Sequence, residues 1–236
     1  MAVYLTGDIH GMLDDRFEVW SFPEGEELTH DDYLIILGDF SMPYDMLEGD
    51  SDLRELNAKP WTTLFIDGNH EQHDYLASLS ESEWHGGIVH RYPGYRNIIH
   101  LMRGEVYEID GHSFFCLGGD QSIDKVIQQE WETWYPEETP DESEFANAEQ
   151  NLARCGWDVD FVLTHTCANR MLGVAIGGNG FANTEIITDE LTNFLDDLED
   201  RLQYRHWFFG HLHSDCDLDD CHTLLFQSIV DLSDYV

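Results

Sequence analysis

Apolar residues in this chain come in short unbroken runs, each closed by glycine or polar residues: AVYLTG at 2–7, YLIILG at 33–38, TTLFIDG at 62–68, SFFCLGG at 113–119, DFVLTH at 160–165 and HWFFGH at 206–211. Runs of this length that do not alternate with polar residues suit strands buried on both faces, with short buried helices as the competing reading. Stretches of about two dozen residues separate the early runs, room enough for crossover helices between parallel strands. The pattern therefore predicts an α/β fold. From about Gly86 to Leu117 the signal changes, because Asp110-Gly111 sits between two strand-like runs as a hairpin turn would. Antiparallel strands should join the parallel ones. Residues 184–203 carry Ile187, Leu191, Phe194, Leu195, Leu198 and Leu202 at three- and four-residue steps, which predicts an amphipathic helix.

At 236 residues, with no flexible linker or low-complexity block, the chain reads as a single domain over 1–236. It has no apolar stretch long enough to span a bilayer and no secretory leader in MAVYLTGDIH, so a soluble, cytoplasmic protein without a membrane partner is expected. The five cysteines, at 116, 155, 167, 216 and 221, are odd in number and unpatterned. Free thiols are expected rather than a disulfide framework, and Cys216 with Cys221 lacks the second pair a zinc site would need. The 48 acidic residues against 11 basic give a formal charge of −37. Such a surface repels polyanions at long range, which disfavours nucleic acid or an anionic membrane as the main partner. Its simplest reading is a solvated acidic face, as in a salt-adapted protein.

The ends of the apolar runs share one chemistry. They read Gly7-Asp8-Ile9-His10, Gly38-Asp39, Gly68-Asn69-His70-Glu71, His165 and Gly210-His211-Leu212-His213. Binding sites of α/β sheets form at the carboxyl edge of the strands, so these oxygen and imidazole donors can converge there. Two carboxylates, a carboxamide and four imidazoles suit divalent ions such as Mn²⁺, Fe²⁺ or Zn²⁺. They are too many for one ion but sufficient for two that share a carboxylate, an arrangement used in phosphate chemistry.

The ordered set D-x-H, G-D, G-N-H-E, H and G-H-x-H resembles the calcineurin-like metallophosphoesterase superfamily over residues 7–213. The resemblance implies a four-layer αββα sandwich of two mixed β-sheets flanked by helices. It implies two divalent ions, Mn²⁺ first with Fe or Zn possible, one held by Asp8, His10 and His213, the other by Asn69, His165 and His211, with Asp39 bridging. It further implies hydrolysis of a phosphomonoester or phosphodiester by a metal-bridging hydroxide, His70 assisting the leaving group. Glu71 is expected to open the following helix, where a carboxylate is favoured, rather than to orient the loop. His30, His73, His85, His90, His100, His112, His206 and His222 fit no motif and are expected to be surface or core residues.

GDIHG and GNHE are similar to protein serine/threonine phosphatases, but that branch continues G-D-x-x-D-R-G where this chain has GDFSMPY. Met42 and Pro43 occupy the positions of its aspartate and arginine, and Asp67 that of the arginine often found before G-N-H-E. The segments NIIHLMRGEVYEIDG, GGDQSIDK, WETWYPEE and WFFGHLHSD instead resemble small bacterial and phage metallophosphoesterases. A small phosphate ester is the expected substrate, with a protein phosphatase or a non-catalytic scaffold for a protein partner as alternatives. Lys125, Arg91, Arg96 and Arg103 are candidate phosphate contacts, the expectation being ordinary solvated cations. Trp131, Trp134 and Tyr135 offer a stacking platform, the expectation being a buried helix face.

Overall fold

The computed structural model describes residues 1–43, 50–122, 125, 129, 134–178 and 188–236. All six apolar runs form strands: β1 (Val3–Thr6), β2 (Tyr33–Leu37), β3 (Thr62–Ile66), β8 (His112–Leu117), β9 (Phe161–Thr164) and β10 (His206–Phe209). Between them lie β4 (Ser80–Trp84), β5 (Gly87–Arg91), β6 (Ile98–Leu101) and β7 (Glu105–Ile109), and after them β11 (Cys216–Asp217), β12 (His222–Leu224) and β13 (Val230–Asp231). One sheet runs β13-β1-β2-β3-β6-β5-β4, the other β11-β12-β10-β9-β8-β7. Both are mixed: β1, β2, β3 and β6 are parallel, as are β8, β9, β10 and β12, while the flanking strands are antiparallel.

Why the runs do not alternate is visible in the packing. Leu5, Ile35, Leu37, Leu64 and Ile66 of the first sheet meet Phe114, Cys116, Phe161, Leu163 and Phe208 of the second in a core between the sheets. The residues that point the other way are equally apolar because helices cover them. On the first sheet Leu34, Ile36 and Phe65 pack under α1 (Asp50–Ala58) and α2 (His73–Ser78) through Leu53, Leu56 and Leu76. On the second, Phe115, Val162, Trp207 and Phe209 pack under α3 (Glu142–Arg154), α4 (Asn169–Gly178) and α5 (Glu190–Arg201) through Leu152, Leu172, Leu191 and Leu195. The result is the four-layer αββα sandwich.

Asp110 and Gly111 both take positive φ, 51° and 80°, in the turn that joins β7 to β8, with Ile109 opposite His112. This is the expected hairpin. Helix α5 begins later than the periodicity suggests: Asp189 and Thr192 form a reciprocal capping box that fixes its start. Residues 184–187, including Ile187, lie outside the described residues. The β1–β2 crossover departs from a helix altogether, holding two 3-10 turns, Asp15–Phe17 and Pro23–Glu27. Gly25 explains part of this, since a Cβ there would lie within 2.7 to 2.9 Å of the Phe22 and Trp61 rings. No helix of the described residues is long and apolar enough to cross a membrane.

Candidate metal centre

Each motif leaves the carboxyl end of a parallel strand, Asp8 and His10 after β1, Asp39 after β2, Asn69 and His70 after β3, His165 after β9, His211 and His213 after β10. His10, Asp39, His211 and His213 all have φ between 46° and 67°. Side chains other than glycine rarely take this conformation, and such strain concentrates at functional sites. Gly38 shows the closeness that results: its φ is 95°, and a Cβ there would lie 2.1 Å from His165 Nδ1.

The donors converge. His10 Nε2 faces His213 Nε2 at 2.8 Å, and Asp8 Oδ2 lies 3.8 Å from the first and 3.2 Å from the second. Asp39 Oδ2 is 3.7 Å from His10 Nδ1, while its Oδ1 is 3.4 Å from His165 Nε2. Asn69 Oδ1 is 3.2 Å from the same His165 nitrogen. His165 Nδ1–H donates to the Leu37 carbonyl at 2.7 Å, which leaves Nε2 as the free donor atom. Asp8 Oδ1 accepts from the His211 amide at 3.0 Å, but Asp8 Oδ2 is buried without any hydrogen-bond partner. A buried carboxylate oxygen left bare, beside two imidazole nitrogens turned toward each other, is costly unless a cation lies among them.

The electrostatics agree. Burial pushes the His165 imidazole down, yet Asp39 and Asp8 outweigh it and raise it to about 10. Burial alone would raise the Asp39 carboxyl, but His165, His70 and His10 hold it below the usual carboxylate range. The buried carboxylates favour positive charge beside His165, and the donor set fits divalent cations of the Mn, Fe or Zn kind. His70 stands apart from the donors. Its amide donates to Asp39 Oδ1 at 2.8 Å, its side chain is exposed, and its ring centroid lies 5.6 Å from that of His10.

Glu71 does not open a helix. Gln72 stands at the N-cap position of α2, without a side-chain capping bond, and the Glu71 carboxylate instead accepts from the amides of Phe40 and Ser41, both at 2.7 Å, and Gly68 at 3.2 Å. It is 3% exposed, so the carboxylate is spent on tying the β2 loop to the β3 loop. Burial and the neighbouring Asp39 push its pKa up, to about 8, against the pull of those amides.

Three positioning residues have no place in the five motifs. Asp120, buried, accepts from His211 Nε2 at 2.9 Å. Ser122 Oγ accepts from Asn69 Nδ2 at 3.0 Å and donates to the buried Glu138 at 2.6 Å. The bond on Nδ2 turns Asn69 Oδ1 toward His165, and Asp120 orients the His211 ring. Asp120 follows the β8 run and Gly118-Gly119, so the same rule that found the motifs would have found it.

The other candidates are placed elsewhere. Lys125 Nζ sits 4.2 Å from the centroid of the Trp134 ring, so cation and ring face each other. Tyr135 OH donates to Gln72 Oε1 at 3.4 Å, and Trp131 lies outside the described residues. Met42 is buried and offers its carbonyl to Tyr92 OH at 2.8 Å. Arg91 Nε donates to Ser82 Oγ at 3.4 Å, and Arg96 is exposed.

Asp67 is buried and answered by Arg103, whose Nε donates to Asp67 Oδ2 at 2.7 Å and whose second arm pairs with Glu144 at 2.9 Å. Arg103 is therefore not a free phosphate contact. Arg103→Met is expected to cost about 3 to 5 kcal/mol in urea unfolding, because the carboxylate is left buried and alone. The double variant with Asp67→Asn should recover most of that loss. Burial would raise the Asp67 carboxyl, but Arg103 and His100 pull it well below the usual range. The pair's contribution should thus be complete above about pH 4, the unfolded value, and fade as pH falls toward the folded one. The double variant should lack this acid loss.

A family model described as calcineurin-like phosphoesterase matches residues 1–215. Among curated proteins, a lariat debranching enzyme from Danio rerio is 25% identical over 244 residues, spanning 90% of this chain and 40% of its own length. Lariat debranching enzyme A from Xenopus laevis is 30% identical over 128 residues, 47% of this chain and 23% of its own. The chain thus spans less than half the length of these relatives. Phosphopantetheinyl hydrolase from Mycobacterium tuberculosis, a solved structure, aligns over 95% of this chain and 88% of its own at 14% identity and a TM-score of 0.42.

Proposed function

Because this chain belongs to the calcineurin-like phosphoesterase family, we propose that the cluster at the strand ends is its active centre and that it hydrolyses a small phosphate ester with two divalent cations. Asp8, His10 and His213 would hold one cation, Asn69, His165 and His211 the other, and Asp39 both. The observation that carries this reading is the bare, buried Asp8 Oδ2 facing the paired nitrogens of His10 and His213. Two such ions, Mn²⁺ first and Fe²⁺ or Zn²⁺ next, would lower the pKa of water and neutralise charge developing on the phosphoryl oxygens. The chain's own contributions are distinct from that. Asp39 holds the two donor groups in one register, Asp120 and Ser122 aim His211 and Asn69, and His70 stands exposed at the rim to give a proton to the departing oxygen. Met42 and Pro43 bring no charged group to the place where a serine/threonine phosphatase would have two, which favours a substrate other than a phosphoprotein.

Asp120→Asn is expected to weaken metal binding by roughly 10- to 100-fold, the usual cost of losing a carboxylate that orients a ligating histidine. Titration of the apo variant with Mn²⁺ followed by calorimetry reads this directly. The substrate class is tested by offering the Mn²⁺-loaded protein phosphomonoesters, aryl diesters, cyclic nucleotides and a branched RNA. Hydrolysis of a small ester supports the reading, and absence of any metal-dependent turnover points to a non-catalytic scaffold. A nucleic acid substrate is the second reading, favoured by the likeness to lariat debranching enzymes. The charge of −37 weighs against it, and preferential cleavage of the branched RNA would reverse that weighting.

A further inference from the structure

A second cluster of ligating groups lies on the β11–β12 turn and shares no residue with the candidate centre. Asp219, Cys221 and His222 each offer a donor atom, and the three atoms lie within 4.8 Å of one another. His222 is buried, Cys221 half-buried and Asp219 exposed, so the group opens to solvent on one side. His222 Nδ1 is 2.8 Å from Asp219 Oδ1 and 3.4 Å from Cys221 Sγ.

The other face of the His222 ring is held independently. Its Nε2 lies 2.8 Å from Oε1 of Glu199, which reaches across from α5, and 3.0 Å from Tyr204 OH. A carboxylate on one imidazole nitrogen is the arrangement that orients a ligating histidine and presents its other nitrogen to an ion. Zinc bonds of about 2.0 to 2.3 Å would put neighbouring tetrahedral donors roughly 3.3 to 3.7 Å apart. The Cys221–His222 spacing already matches, and Asp219 needs to open by less than an ångström.

We propose that Asp219, Cys221 and His222 form a cysteine-containing site for a borderline-soft divalent cation, zinc foremost, with Glu199 as its positioning residue. Thiolate, imidazole and carboxylate together select such ions over magnesium or calcium. Binding releases two protons to solvent, one from the Cys221 thiol and one from His222 Nδ1 now shared with Asp219, and leaves one coordination position to water. The ion would tie the β11–β12 turn, just after the His211–His213 loop, to α5 through Glu199.

Co²⁺ is the probe, because thiolate-to-cobalt charge transfer absorbs in the near ultraviolet and the candidate catalytic centre contains no cysteine. The full chain, reduced and loaded with Co²⁺, should show that band. Cys221→Ser should abolish it and bind one equivalent of metal fewer, while Cys155→Ser and Cys216→Ser keep it. Glu199→Gln should weaken cobalt binding at this site by roughly 10- to 100-fold. Zn²⁺ should also protect Cys221 of the unaltered protein from iodoacetamide, read by peptide mass, which needs no variant to fold. A wild-type protein without the band, a band that survives Cys221→Ser, or Cys221 alkylation unaffected by Zn²⁺ would overturn the proposal.

Discussion

Asp39→Asn is expected to leave a folded protein whose phosphoesterase turnover is lower by about a thousandfold or more, equivalent to several kcal/mol of lost transition-state stabilisation. The substitution keeps the shape, and its amide oxygen can still accept from the His70 amide as Asp39 Oδ1 does. It removes the charge and replaces the second oxygen with an NH2 donor. That charge faces His10 on one side and His165 on the other, so the substitution touches both halves of the donor set. Analysis for Mn²⁺ should show two equivalents in the wild type and fewer in the variant. Substantial turnover by a metal-replete Asp39→Asn sample would falsify the bridging assignment.

Much of this centre is legible in the sequence because the carboxyl edge of parallel strands collects whatever follows each apolar run. Asp8, Asp39, Asn69, His165 and His211 stand at such ends, and the fold brings those ends together without further information. Asp120 obeys the same rule yet belongs to no recognised pattern, so its role emerges only from its contact with His211. Glu138 obeys no such rule. It lies in a 3-10 turn, Pro136–Glu138, and is buried because Ser122 and its amide need an acceptor there. Glu71 illustrates a different limit. Helix propensity is a local preference worth tenths of a kcal/mol, while three buried amides that would otherwise lack an acceptor cost about 1 to 3 kcal/mol each. The larger demand decides where that carboxylate goes. The first crossover was likewise hidden from residue spacing, since Gly25 is there to let two rings approach, a three-dimensional requirement.

The acidic surplus also looks different in three dimensions. Arg16, Lys59, Arg103, Arg170, Arg201 and Arg205 each pair with at least one carboxylate. Lys125 rests on an aromatic face. Arg16 does more, donating to the carbonyl of Asp8 at 2.9 Å and to that of Gly7 at 3.3 Å, so it braces the first motif from behind. With cations used this way, divalent ions are the natural source of positive charge for binding a phosphate in the centre.

His70→Asn should then separate proton delivery from charge stabilisation. The imidazole is exposed at the rim, beside but outside the donor set, so the variant should retain its full metal content. For an ester with an alkyl leaving group, kcat should fall by about 10² to 10⁴, the range that general acid catalysis contributes. For a p-nitrophenyl ester, whose phenolate departs without a proton, the loss should stay below about tenfold, because the barrier no longer depends on an acid. Equal losses for both esters would mean that His70 acts by stabilising negative charge on the phosphoryl group. Loss of a metal equivalent would place His70 among the ligands and remove it from the role of acid. The ratio of the two ester rates, taken with the metal content, therefore decides what the second residue of the Asn69-His70 pair is for.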